Sequence, residues 1–209
     1  MTDTTATSLS DLVATLRERV EGLRHAGDPD AYLAAASAAA DEIGDRVGEH
    51  WNDEGRQALT AVKRFTYNAA ADCWPGWSVR DKPPDIRILL TALELAQRST
   101  RLVKKLALGP LQEGTATWLC GAFDLALGRY ADASSAFAVA HQLYIAAKAP
   151  GLALLTEGYI AIVAHIARHK ATGGAPDLEQ ICATIAAGNF DDGAEFIEQL
   201  RTALKVFAR

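Results

Sequence analysis

Alanine constrains the fold of this sequence more than any other residue. It occurs in runs such as Ala34-Ala35-Ala36 and Ala38-Ala39-Ala40. Because alanine has the highest helix propensity and is depleted in strands, the sequence nearly excludes an all-β fold. Apolar residues also recur at three- and four-residue steps, as in Leu9, Leu12, Val13, Leu16, Val20 and Leu23. No stretch alternates convincingly with a period of two, so we predict an all-α protein.

Glycine and proline divide this pattern into about eight to nine helices. The breaks fall at Gly27, Trp74-Pro75, Gly109-Pro110, Gly128, Pro150-Gly151, Gly173-Gly174 and Gly188. The connections are short, apart from the loop WPGWSVRDKPP at 74–84, so neighbouring helices should pack as antiparallel hairpins. We expect the last helix to begin at Phe190. We also expect a flexible N-terminus over 1–8, followed by a single all-α domain over 9–209.

The composition limits the classes of function. A chain of 209 residues can bury one sizeable core, and 49% hydrophobic with 22% charged residues is ordinary for a globular protein. A net charge of −5 argues against nucleic-acid binding. The sequence contains no run of 18 apolar residues, so we expect no membrane span. The three cysteines lie far apart, which favours reduced thiols and a cytoplasmic location.

The segment GAFDLALGRYADASSAFAVA has the spacing of a known helical repeat. It carries Gly121, Leu125, Gly128, Tyr130, Ala133, Phe137 and Ala140. This pattern resembles the tetratricopeptide repeat (TPR), a helix–turn–helix unit of 34 residues. The resemblance covers about 114–147, and weaker copies surround Gly188 and Gly27. The family's tryptophan would fall at Thr117 and its closing proline at Ile145, so the match is partial.

The resemblance implies a TPR-like array of antiparallel hairpins whose first helix carries a small residue, Gly121, facing the second. Ala133 should then be buried against the helix that contains Gly121. Proteins of this family serve mainly in protein–protein contacts, so the resemblance implies a non-catalytic adaptor or scaffold. A generic helical bundle remains the alternative, because any tight hairpin favours glycine turns and small packing residues.

Residues that could carry catalysis or hold a metal are sparse. The common phosphate-binding, nucleophile-elbow and zinc-protease motifs are absent, and there is no CxxC. His165 and His169 lie four residues apart on one helix face, but no third ligand is near in sequence. We interpret this pair as part of a solvated polar face, and we expect no cofactor and no metal.

Three aromatic residues, Tyr67, Trp74 and Trp77, surround Cys73 and the Pro75-Gly76 break. Tryptophans are costly to expose in pairs, so they either cover the edge of a core or line a ligand pocket. The second possibility gives the alternative function, a small-molecule binder or an enzyme with a pocket near these residues.

Charge is distributed unevenly along the chain. Residues 1–55 contain twelve acidic and four basic residues, whereas residues 80–105 contain seven basic and three acidic ones. Arg98, Arg101 and Lys105 share one helix face and form a basic stripe. This stripe could bind an acidic protein or peptide partner, or it could be neutralised by Glu18, Glu21 or Asp28 of the acidic N-terminal region. The sequence leaves the oligomeric state open.

Overall fold

The computed structural model describes residues 8–48, 52–79, 84–168 and 177–208. Within these ranges the chain forms nine α-helices and no strand, which confirms the all-α prediction. The helices are α1 (Leu9–Leu23), α2 (Pro29–Val47), α3 (Asp53–Asp72), α4 (Ile86–Lys105), α5 (Pro110–Ala126), α6 (Tyr130–Ala146), α7 (Pro150–Arg168), α8 (Leu178–Ala187) and α9 (Gly193–Phe207). A short 3₁₀ turn, Pro75–Trp77, follows α3.

Short polar side chains cap the start of several helices. Each accepts a hydrogen bond from a backbone amide that has no partner inside its helix. The capping residues are Ser8, Asp28, Asn52, Asp85 and Asp177. Ser8 therefore belongs to the start of α1, and the remainder of the N-terminal segment that we expected to be flexible lies outside the described residues.

Two helix boundaries differ from the sequence-based expectation. The expected start of the last helix at Phe190 is wrong, because α9 begins at Gly193. Asn189 has a left-handed φ of 49°, and the Phe190 ring folds back over Gly188 and Gly151, so these residues form a turn instead of a helix. The first helix ends at Leu23, four residues before Gly27.

Consecutive helices pack against each other, and one continuous hydrophobic cluster contains buried residues from all nine described helices. Further contacts join α1 to α3, α2 to α4 and α7 to α9. Helix α7 includes a window, Pro150–Ala167, that is long and apolar enough to cross a membrane by length and composition. Half of that window is buried, and Tyr159 and Ile162 within it are fully buried, so its apolar character fits a core helix.

The hairpin of α5 and α6 has the turn that the sequence predicts. The chain reverses at Gly128, and Ala133 is fully buried. A Cβ atom at Gly121 would lie 3.0 Å from the Cβ of Ala136 and 3.1 Å from the ring of Phe137. Any larger residue at this position would crowd these two side chains, so glycine favours the close approach of α6 to α5.

Three successive connections, from α4 to α7, use the same backbone geometry. Ala107, Gly128 and Lys148 each adopt a left-handed φ, of 51°, 71° and 56°. The next residue in each case donates its amide to a carbonyl five positions earlier, from Leu108 to Val103, from Arg129 to Asp124 and from Ala149 to Tyr144. This is the Schellman pattern of helix ends, and its recurrence makes the three connections structurally equivalent.

We expect opposite effects from exchanging alanine and glycine at these equivalent positions. Ala107→Gly should raise the free energy of unfolding by about 0.5–1 kcal/mol, since glycine adopts the left-handed conformation without the Cβ penalty. Gly128→Ala should lower it by about 1 kcal/mol, because its Cβ would be strained by conformation alone, with no atom closer than 4.0 Å. Urea denaturation measures both, and a change of the same sign in the two variants would contradict the equivalence.

Candidate functional site

Trp74 is the centre of an aromatic cluster in the core. Its side chain is 0% exposed, and its indole N–H donates to the Ala122 carbonyl in α5 at 3.1 Å. Its ring centroid lies 4.9 Å from Trp77, 5.4 Å from Trp118 and 5.8 Å from Tyr159. Trp74 is thus a core residue, and its polar atom is satisfied.

The same cluster brings the C-terminal helix to the loop after α3. The ring of Phe207, the last residue of α9, lies 6.0 Å from that of Trp74. The 3₁₀ turn also packs against α9 and, less extensively, against α5. Tyr159 in α7 is fully buried and accepts a hydrogen bond from Gln199 of α9 at 2.9 Å. Segments far apart in sequence therefore meet around one tryptophan.

The three aromatic residues that the sequence grouped together have different neighbours in the structure. Trp77 is 46% exposed, contacts Trp74 edge-on and donates its N–H to the Ala71 carbonyl. Tyr67 instead lies beneath the ammonium group of Lys63, 5.3 Å from its ring centroid. Neither of the two surface clefts described below is lined by these residues, and a ligand pocket beside them stays a prediction.

Trp118, Phe137 and Tyr159 complete the cluster, and the sequence analysis did not assign them to it. Their ring centroids lie between 5.1 and 6.3 Å from one another. Trp118 and Ala122 are four residues apart on α5, so helical spacing was the available signal that both face the same partner. The Trp118 indole N–H is buried without a hydrogen-bond partner among the described residues.

The first residue of the basic stripe is engaged inside the molecule. Arg98 donates to Asp41 of α2 at 2.6 Å, and its guanidinium lies beside Gly44 of the same helix. The acidic N-terminal region does neutralise part of the stripe, but through Asp41. Of the acids named from the sequence, Glu21 pairs with Arg17 and Asp28 caps α2.

Arg101 and Lys105 are exposed near the C-terminal end of α4, together with Lys104. Positive charge at a helix C-terminus is favoured by the helix dipole, which explains part of this clustering. Arg101 and Lys104 also lie near Cys120 of α5. Burial raises the pKa of the Cys120 thiol, and this effect outweighs the two neighbouring cations, so the thiol is not activated.

No group of three or more potential metal-ligating residues occurs in the part of the chain that the structure describes. His165 is exposed on α7, and His169 lies outside the described residues. Cys73 and Cys182 are buried. Burial also raises the pKa of Cys182.

One surface cleft, of about 240 Å³, lies where the ends of α1 and α3 meet the start of α2. Arg24 binds both carboxylate oxygens of Asp72, at 2.7 and 2.8 Å, and Tyr32 donates to the same carboxylate at 3.0 Å. Burial, followed by this hydrogen bond, raises the pKa of Tyr32 above its ordinary value. The charged groups of Arg24 and Asp72 therefore neutralise each other. The network connects the ends of α1 and α3 with the start of α2.

A second cleft, of about 340 Å³, runs between α6 and α7. Its walls are mainly apolar, with charged or titratable groups at the rim. The lining residues are His141, Ile145, Lys148, Ala149, Pro150, Ala153, Leu154 and Glu157. Lys148 and Glu157 have no ion-pair partner among the described residues. This is the larger of the two clefts and has charged groups still available for a partner.

The outward side of α6 extends this cleft into a broader surface with a single charge. Val139 and Ile145 are each 53% exposed. The exposed residues of α6 are Ala131, Asp132, Ser135, Ala138, Val139, Gln142, Ile145 and Ala146, of which only Asp132, in the first turn, is charged. By contrast, the exposed sides of α3, α4 and α9 carry several charges each. We name the cleft together with these residues the α6–α7 face.

Comparison with protein-family models, with curated protein sequences and with solved structures finds no match to this chain. The TPR resemblance therefore depends on the chain's own residues alone.

The aromatic cluster predicts unequal effects from two equivalent substitutions. Trp74→Phe and Trp118→Phe remove the same number of atoms, but only Trp74 loses a hydrogen bond. Removing the buried, unpartnered N–H of Trp118 relieves its desolvation penalty. We expect Trp74→Phe to lower the free energy of unfolding by about 1–2 kcal/mol more than Trp118→Phe. Chemical denaturation of the two variants measures the difference, and equal losses would contradict this account.

Two charge-reversal variants in the basic stripe form a second matched pair. Arg98→Glu places like charges opposite each other at Asp41 and should lower the melting temperature. Arg101→Glu changes an exposed residue with no ion-pair partner among the described residues and should leave it nearly unchanged. We expect a difference of about 0.5–1 kcal/mol in the free energy of unfolding. Thermal unfolding at low and high salt checks this, since salt should reduce the difference.

Proposed function

We propose that this protein is a non-catalytic protein–protein interaction adaptor or scaffold built on a TPR-like array of helical hairpins. Two features support the repeat architecture. The connections from α4 to α7 share one Schellman geometry, which is expected if the hairpins are variants of one unit. Gly121 also provides the small position against which Phe137 packs, as the TPR pattern implies.

The observation that carries the proposal is the α6–α7 face. A helix on the outside of a globular protein usually presents several charged residues to water, whereas Asp132 is the single charged residue among the eight exposed residues of α6. An apolar cleft of about 340 Å³ lies in the same surface. Contiguous apolar surface bordered by polar groups is typical of protein-interaction sites.

The basic end of α4 is a second place where a partner could bind. Arg101, Lys104 and Lys105 are exposed there, and they would favour an acidic protein segment. We do not include Arg98 in this binding surface, because its guanidinium already pairs with Asp41. The three cysteines are thiols that form no disulfide within the described residues, which fits a reducing compartment, and we propose a cytoplasmic location on that ground.

Photo-cross-linking in the native cell tests the interaction face. A photoreactive amino acid placed at Ile145 or Val139 should yield discrete cross-linked products, because both side chains lie on the α6–α7 face. The same residue at Ile86, which is 62% exposed on α4, is the matched control and should yield none. Products of equal intensity at all three positions, or none at any, would contradict the proposal.

A further inference from the structure

We propose that the partner bound at the α6–α7 face is a second copy of this chain, docked about a two-fold axis. This inference rests on the proposed function, because it names the partner of the same surface. In such a dimer each copy contributes α6 and α7, so the four helices bury the apolar residues Val139 and Ile145 that α6 otherwise exposes to water.

The arrangement of charge along the cleft favours a second copy. Lys148 lies at the start of α7, and Glu157 lies seven residues after Pro150 on the same helix, about 10 Å along its axis. The cleft thus has a cation at one end and an anion at the other. A two-fold axis exchanges the two ends, so that Lys148 of each copy faces Glu157 of the other.

An acidic or a basic peptide would form a favourable ion pair at only one of these two ends. An acidic segment that pairs with Lys148 would bring its remaining charges toward Glu157, and a basic segment would meet Lys148. Like charges facing each other at an interface are costly, so such ligands are disfavoured. The cleft is therefore complementary to a partner that also has a cation at one end and an anion at the other. A second copy of the same cleft has this arrangement of charge.

The apolar groups lie between the two charged ends. Ile145 from α6 and Ala153 and Leu154 from α7 line the cleft, and the last two lie between Lys148 and Glu157 along the chain, so they form its apolar centre. Under two-fold symmetry the exposed side chain of Ile145 meets this apolar centre on the other copy, and the reverse contact forms at the same time. Apolar contacts at the centre with charged groups at the rim are the usual arrangement of an interface.

The size of the face fits a reversible dimer. Helix α6 has 17 residues and is therefore about 25 Å long, and two adjacent helices span about 20 Å. The face measures at most about 500 Å² as a flat area, which is below the roughly 600 Å² per partner of stable interfaces and within the range of transient ones. Dimerisation should accordingly depend on concentration over an accessible range.

Sedimentation equilibrium of the purified full-length chain, from about 1 µM to about 1 mM, tests the proposal. The unmodified protein should pass from monomer to dimer. Lys148→Glu and Glu157→Lys should each weaken dimerisation at least about tenfold, because each places like charges opposite each other twice in the dimer. The double variant Lys148→Glu/Glu157→Lys should restore the dissociation constant to within about threefold of the original.

The controls separate dimerisation from folding. Lys148→Glu keeps a side chain with a Cβ at the left-handed position, so the backbone strain there is unchanged. Ile145→Asp should prevent dimerisation, whereas Ile86→Asp on α4 should leave it intact. Circular dichroism of each variant should show the original helix content, because all the changed side chains lie at the surface.

Three results would overturn the second copy as partner. The first is that the original chain stays monomeric over the whole concentration range. The second is that the variants with a single charge reversal dimerise with the same dissociation constant as the original chain. The third is that the double variant loses as much dimer affinity as the two single variants lose together. If the purified chain is monomeric but Ile145 cross-links to another protein in the cell, the proposed function stands and the partner is a different chain. If Ile145 also forms no cross-link, both proposals fail.

Discussion

The burial of Trp74 holds together the parts of this fold that chain connectivity leaves apart. Consecutive helices are joined by short turns, which by themselves would produce an open row of hairpins. Trp74 reaches from the loop after α3 to rings on α7 and α9, and it donates a hydrogen bond to α5. Burying an aromatic side chain of this size contributes about 4–6 kcal/mol before entropy costs, comparable to the net stability of a small domain.

This closure has a consequence for where a partner can bind. Repeat arrays usually leave one side of the helix row open for ligands. Here the loop that carries Trp74 and Trp77 packs against α9 and α5, so the chain's own aromatic residues cover part of these helices. An apolar surface that stays accessible lies on α6 and α7, where Val139 and Ile145 are exposed.

Local interactions fix the ends of the helices almost independently of the packing. Five short polar residues cap helix starts, and three left-handed residues end α4, α5 and α6 in the same way. Both devices use atoms within a few positions along the chain, and they satisfy backbone groups that a helix end leaves free. The exception at Phe190 has a tertiary cause, since its ring packs onto Gly151 of α7.

The sequence by itself determined the all-α class, nearly all helix boundaries and the hairpin turn at Gly128, because propensity, capping and periodicity act within one helix or turn. For the basic stripe it left two possibilities open, binding of an acidic partner or neutralisation by Glu18, Glu21 or Asp28. Only the tertiary structure decided that Arg98 pairs with Asp41, that Tyr67 lies beneath Lys63, and that Trp118, Tyr159 and Phe207 surround Trp74. These pairings depend on how helices far apart in sequence approach and rotate about their axes, and side-chain spacing along a single helix holds no information about that approach.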